Sequence, residues 1–266
     1  MNRAVIELRQ KFYDVAVVGG GIYGASVARD AAMRGLRVAL VDQGDFGSET
    51  SANSHKIIHG GLRYLQHGDF KRMRESIRER SNLMRIAPHL VFPMPFLIPI
   101  FNNRGKGKSV FFAAMKLNDL VSFDRNQNLP SDKKIPNGRI ISKAECLKLC
   151  PTLDCPELVG GAIYYDGQIY NPNRLILSFL QSAVLDGADV ANYVRVTEFI
   201  VQNRKVQGLS VIDELTKESF EIKSDMVVNC TGPWNYSILN NLELGKDKLK
   251  PRLTKAMVLV TRSVTK

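Results

Sequence analysis

Apolar and polar positions along this chain follow two spacings, and the changes between them mark its elements. Residues 15–18 and 38–41 are short unbroken apolar runs, the pattern of strands buried on both faces. Between them Ala25, Ser26, Ala28, Ala31 and Ala32 predict a slim helix. Residues 43–53 are rich in Gly, Ser and Thr and predict a loop. Residues 69–87 predict a helix in which Phe70, Met73, Ile77 and Met84 share the apolar face, ended by Pro88. On its other face stand Lys71, Arg72, Arg74, Arg78, Arg80 and Arg85, diluted by Glu75 and Glu79. A second helix is predicted over 109–121, between polar loops at 102–108 and 125–138. A short third begins after Ser142, with Glu145 completing a capping box. Residues 161–165 predict a strand, and Pro172 opens a helix running to about 186. An antiparallel meander is predicted over 190–198, 206–212 and 220–222, followed by a buried strand at 226–229.

The turn between the first apolar run and the helix carries the first chemistry. It reads Gly19-Gly20-Gly21-Ile22-Tyr23-Gly24, and the second apolar run stops at Asp42 followed by Gln43. Gly19 suits the tight strand-to-helix turn, Gly21 a close backbone approach to a pyrophosphate, and Gly24 tight packing of helix on strand. The helix N-terminus offers free amides and a positive dipole end to phosphate. Asp42 stands where a carboxylate accepts hydrogen bonds from a ribose. Strand, turn, helix, strand and acid arrive in order within about 30 residues. This is the pattern of a dinucleotide site, and it leaves FAD and NAD equally open.

Composition narrows the setting. The 266 residues suit one large domain or two modest ones, and 44% hydrophobic with 24% charged residues is ordinary for a globular protein. A net charge of +11 suits phosphate-bearing ligands, anionic membrane surfaces or nucleic acid, but no nucleic-acid module is recognisable. The apolar stretch 89–101 is too short to span a bilayer and is broken by Pro93, Pro95 and Pro99. The N-terminus lacks the apolar core of a secretory signal. Cys146, Cys150, Cys155 and Cys230 match no zinc spacing, so reduced thiols, no metal and a cytoplasmic setting are expected.

The segment Ser54-His55-Lys56-Ile57-Ile58-His59-Gly60-Gly61-Leu62-Arg63-Tyr64-Leu65 mixes two histidines, paired glycines and an Arg-Tyr pair. From the residues alone it is either a loop with a solvated Arg and a buried Tyr, or a ligand loop whose Arg binds an anion. Cys230-Thr231-Gly232-Pro233-Trp234 closes the 226–229 strand, where α/β sheets bind ligands.

Taken together, residues 19–42, 50–70, 87–99, 161–175 and 227–234 closely resemble the FAD-dependent glycerol-3-phosphate dehydrogenases, within the D-amino-acid-oxidase-like flavoprotein superfamily. The His-Gly-Gly-Leu-Arg-Tyr stretch discriminates best. The resemblance implies a glutathione-reductase-type, Rossmann-like α/β FAD-binding domain interleaved with a β-rich substrate domain. Residues 1–90 and 171–240 would be the FAD-binding parts, 91–170 the start of the substrate domain, and 241–266 the start of a further substrate-domain segment. It implies that residues 50–61, including Thr50, Ser51, Ser54, Lys56, His59, Gly60 and Gly61, wrap the flavin, with Thr231 and Gly232 on a second flavin-contacting strand. Arg63 and Tyr64 would lie at the substrate pocket.

The implied reaction moves a hydride from C2 of glycerol 3-phosphate to the flavin, with quinone as electron acceptor. Peripheral contact with the inner face of the membrane follows from the resemblance and would use the basic face of 69–87, whose bland reading is solvation; a homodimer stays open. The family histidine that follows a Lys-Gly-x segment is replaced here by Val258, after Lys255, Ala256 and Met257. Hence His55 or His59 substitutes as base, or the substrate is an amine or hydroxy acid, or the chain is a silent FAD-binding remnant. Resembled proteins continue for about as many residues again, so residues 1–266 alone are not expected to complete an active enzyme.

Overall fold

A computed structural model describes residues 1–102, 107–239 and 254. Its elements are, in chain order, α1 (Val5–Gln10), β1 (Phe12–Val18), α2 (Ile22–Met33), β2 (Val38–Val41), β3 (Ile57–Ile58), α3 (Phe70–Ile86), β4 (Val91–Phe101), α4 (Lys108–Val121), β5 (Arg139–Ser142), α5 (Lys143–Leu149), β6 (Leu158–Ile169), α6 (Pro172–Leu185), β7 (Asp189–Ala191), β8 (Val194–Gln202), β9 (Lys205–Asp213), β10 (Ser219–Asn229) and α7 (Asn235–Leu239). The described residues cluster into two compact units, 1–54 with 171–239 and 254, and 55–170. This divides the chain by compactness, whereas the segments expected above divide it by ligand. The predicted segment 241–266, Val258 included, lies outside the described residues apart from residue 254.

The first unit is built on a six-stranded sheet in the order β7-β2-β1-β10-β9-β8. Strands β7, β2, β1 and β10 are parallel, and β9 and β8 continue antiparallel. Strands β1 and β2 are apolar because both of their faces are covered. Ala25, Ala28, Ala31 and Ala32 of α2 pack with Leu180 and Ala183 of α6 on one face, and Leu8 and Tyr13 sit in the core on the other. Small side chains let α2 lie close to β1.

Two strands differ from their expected bounds. Residues 190–198 do not form one strand: Asp189–Ala191 pairs parallel with β2, and a new strand starts at Val194 after a left-handed Tyr193. Residues 226–229 do not form a separate buried strand. They end β10, whose first half, 219–223, pairs antiparallel with β9 and whose second half, 223–229, pairs parallel with β1, and Met226 is 58% exposed.

The second unit holds a four-stranded sheet, β3-β6-β4, with β5 also on β6. Where three prolines break the apolar stretch 89–101, the structure has an eleven-residue strand. Among the described residues strand β4 pairs only with β6, so it is an edge there. Pro93, Pro95 and Pro99 are two and four apart, so their missing N–H groups fall on one side, where an edge needs none. Helix α3 starts one residue after its cap, Asp69, whose carboxylate accepts the Arg72 N–H at 3.1 Å. Its buried row is Met73, Ile77, Arg80, Ser81 and Met84. Phe70, expected inside, is 47% exposed at the first turn, and Arg80, expected on the solvated face, is 4% exposed. Ser142 caps α5 by accepting the Glu145 N–H at 3.1 Å, while the Glu145 carboxylate pairs with Arg139. No helix among the described residues is long and apolar enough to cross a membrane.

Candidate functional site

In the first unit the candidate residues gather at the C-terminal ends of β1, β2 and β10. The chain leaves β1 through Gly19, whose N–H bonds the Val41 carbonyl at 2.8 Å, while the Cys230 N–H bonds Val18 at 2.8 Å. Gly19 is left-handed (φ +104), and a Cβ there would lie 2.7 Å from the Cys230 carbonyl oxygen. Gly24 is more restricted still, because its Cβ would lie 1.8 Å from the Gly19 carbonyl oxygen. These two glycines serve the fold. Gly21 differs: it caps α2 in extended conformation, and its Cβ would meet only Ser51 Oγ, at 3.2 Å.

The first helical bond of α2 runs from the Ala25 N–H to the Gly21 carbonyl at 2.9 Å, so the amides before it have no helical acceptor. Ser51 Oγ takes one, the Ile22 N–H, at 3.1 Å. Those of Tyr23 and Gly24 remain at the positive end of the helix. Tyr23 itself is exposed, as are Gln43 and Thr50.

Asp42 closes this end of the sheet. Its two oxygens accept the Gly20 N–H at 2.6 Å and the Gly44 N–H at 2.8 Å. Burial pushes its carboxyl above the ordinary value, opposed by those two N–H bonds. An ionised carboxylate has about four acceptor sites, so capacity remains for an outside donor. Phe46, which sequence reasoning missed, is buried under the turn, and a Cβ on Gly20 would lie 2.4 Å from it. Thr231 Oγ1 bonds Asn229 Oδ1 at 2.7 Å, and Gly232 is left-handed with open space around it. This end of the unit can hold an anionic group against amides, with a carboxylate beside it for a hydroxyl.

In the second unit, Lys56 is left-handed just before β3, and the paired glycines follow that strand. Gly60 is buried and Gly61 is left-handed (φ +75), with its carbonyl accepting the Tyr64 N–H at 2.8 Å to start a 3-10 turn, Leu62–His67. His59 and Tyr64 come together edge-to-face, 6.0 Å between ring centres. Both line an open cleft of about 520 Å³, with Ile57, Ile58 and the α3 residues Arg72, Glu75, Ser76 and Glu79. Neither His55 nor Arg63 lines it; both are exposed, as is Ser54.

Behind the glycines lies a pair that sequence reasoning also missed. Arg80 Nη1 meets Asp166 Oδ1 at 2.6 Å, and that oxygen accepts the Gly60 N–H at 2.5 Å. Burial raises the Asp166 carboxyl above its ordinary value, against the opposing Arg80 charge and the Gly60 N–H. A signal for Arg80 was present. Met73, Ile77, Arg80 and Met84 stand at i, i+4, i+7 and i+11, so the arginine belongs to the apolar row. Among the described residues no cluster of His, Cys, Asp or Glu is placed to hold a metal.

Residues 14–266 match the family described as FAD dependent oxidoreductase. The chain is 39% identical over 231 residues to a glycerol-3-phosphate dehydrogenase of Synechocystis, covering 86% of this chain and 40% of that protein. It is 35% identical to an alpha-glycerophosphate oxidase of Streptococcus pneumoniae, covering 98% and 42%. The chain thus spans about two fifths of the length of these curated relatives. Among solved structures it resembles the glycerol-3-phosphate dehydrogenase of Bacillus halodurans complexed with FAD, with TM-score 0.64, 30% identity, and 87% and 36% coverage. The L-proline dehydrogenase of P. horikoshii, TM-score 0.66 at 19% identity over 89% of this chain and 57% of that one, shares the fold.

Proposed function

Because this chain belongs to the FAD dependent oxidoreductase family, we propose that it binds FAD and serves the oxidation of glycerol 3-phosphate to dihydroxyacetone phosphate, with a quinone as electron acceptor. The observation that carries the reading is the open approach at Gly21 beside the first amides of α2, with the Asp42 carboxylate oriented nearby by the Gly20 and Gly44 N–H groups. It fits a diphosphate and a ribose hydroxyl. We assign Gly19, Gly21, Ile22, Tyr23, Gly24, Asp42, Gln43, Thr50 and Ser51 to the adenosine and diphosphate portion. Ser54, Lys56, His59, Gly60, Gly61, Thr231 and Gly232 are assigned to the flavin. Residues 1–90 and 171–240 then form the cofactor-binding parts, and 91–170 the start of a substrate domain. FAD supplies the hydride acceptor when bound.

The residues of this chain have three tasks beyond holding it. Arg63 binds the substrate phosphate through charge-assisted hydrogen bonds. Tyr64 orients the alcohol. His59 takes the hydroxyl proton as the C2 hydride leaves, since imidazole is the side chain suited to that transfer near neutrality. His59 is preferred over His55 because it lines the cleft with Tyr64.

An oxidase reading with molecular oxygen as acceptor is favoured by the similarity to alpha-glycerophosphate oxidases. Anaerobic mixing separates the readings. Glycerol 3-phosphate is expected to bleach the flavin colour of the purified protein, and colour returning with quinone but slowly with oxygen marks the dehydrogenase. Bleaching only by amines or hydroxy acids would transfer the site to that class, and a colourless protein that FAD cannot reconstitute would be a remnant.

A further inference from the structure

Three elements of the second unit meet at one buried ion pair: Arg80 from α3, Asp166 from β6 and Gly60 from the turn after β3. Arg80 Nη1 donates to Asp166 Oδ1 at 2.6 Å and to the Tyr165 carbonyl at 2.9 Å. Both charged side chains are almost wholly excluded from water, at 5% and 6% exposure. Such a pair is a poor way to gain stability, because desolvation consumes most of the attraction and an apolar pair of equal volume holds elements as well. Arg80 Nε is also buried without a hydrogen-bond partner, a further cost.

The charges provide direction instead. Asp166 gives the Gly60 N–H an acceptor at 2.5 Å, and the guanidinium lies against Gly60 so closely that a Cβ would be 2.2 Å from Nη1 and 2.6 Å from Cζ. A Cβ on Gly61 would in turn lie 2.9 Å from the Tyr64 ring and 3.0 Å from the Met73 backbone. The glycine turn is thus fixed from behind, and the two cleft-lining rings, His59 and Tyr64, stand on either side of it.

We propose that Arg80 and Asp166 are positioning residues for the reaction, clamping the Gly60–Gly61 turn so that His59 and Tyr64 stand in fixed register in their cleft. The inference rests on the roles given to His59 and Tyr64 above. Its consequence is that loosening the clamp moves the imidazole in protein that stays folded.

The test is proton NMR of the histidine rings in the FAD-loaded protein, with His59 assigned from the signal lost in His59→Gln. Asp166→Asn keeps an acceptor oxygen but removes the charge. Gly60→Ala keeps the charges but drives a methyl group into the guanidinium. Both are expected to shift the His59 signals while those of His67 and His89 stay in place. Both are also expected to lower kcat/KM for glycerol 3-phosphate by about tenfold or more, as misplacement of a reacting group does. Adding Arg80→Lys to Gly60→Ala, which removes the branched head, should recover part of that loss. Unmoved His59 signals in folded Asp166→Asn or Gly60→Ala protein would overturn the proposal, as would losses that simply add in the double variant. Should Asp166→Asn fail to fold, the Gly60 and Arg80 variants decide alone. A parent protein inert to glycerol 3-phosphate would defeat the functional reading, and the NMR result would still judge the clamp.

Discussion

At the scale of single residues, glycines in one short turn divide between fold and ligand. Gly24 sits where a methyl group would strike the Gly19 carbonyl oxygen at 1.8 Å, so Gly24→Ala is expected to destabilise the first unit by about 1–3 kcal/mol in a urea melt. Gly21→Ala meets only Ser51 Oγ and should melt like the parent while binding FAD at least about tenfold more weakly, because its methyl group occupies the approach. Equal melting of both variants would refute this division. Arg63 is exposed and free of the packing that holds Arg80, so Arg63→Ala tests binding with little structural cost. Its KM for glycerol 3-phosphate should rise more than about tenfold, since a charge-assisted hydrogen bond is worth about 1.5–3 kcal/mol. Unchanged kinetics would remove Arg63 from the site. The residues of the first turn were legible in the sequence because their constraints are local. Arg80 and Asp166 were not legible as a pair, because 86 positions separate them and only the sheet brings them together. The apolar row on α3 betrayed the arginine but could not name its partner.

At the scale of elements, helix α3 is fixed by charge at more than one point. Arg74 pairs with Asp124 at 2.6 Å and donates to the Val121 carbonyl at 2.7 Å, joining α3 to the end of α4. The Arg74 hydrogen bonds hold the Asp124 carboxyl below its ordinary value. A depressed folded value means that the stabilisation is complete above the unfolded carboxylate value, about 3.9, and is lost as pH falls through the lower folded value. Asp124→Asn should therefore cost about 1 kcal/mol or less at neutral pH, with the difference from the parent vanishing in acid. A difference that grew below pH of about 4 would have the wrong sign. Elements whose pattern is set locally were legible: β2, parallel to a neighbour on each side, falls on the residues its apolar run predicts, and α6 starts at its proline. Elements with two roles were not. Strand β10 reads as a meander strand followed by a sheet strand because it pairs antiparallel on one side and parallel on the other. Strand β4 was hidden by prolines that only an edge can accommodate.

At the scale of the whole molecule, the surplus of positive charge and the glycine cradle both point to anionic partners. If the protein works at a membrane surface on quinone, its binding to vesicles of anionic lipid should be measurable at low salt and fall steeply as ionic strength rises. Failure to sediment with such vesicles at low salt would remove the membrane from the account. The claim on which the rest depends is that the first turn is an FAD cradle. Calorimetric titration of flavin-free protein with FAD and, separately, with NAD tests it most directly. One FAD is expected to bind per chain, weakened at least about tenfold in Gly21→Ala, with NAD binding far more weakly. Tighter binding of NAD, or FAD affinity untouched by Gly21→Ala, would contradict it.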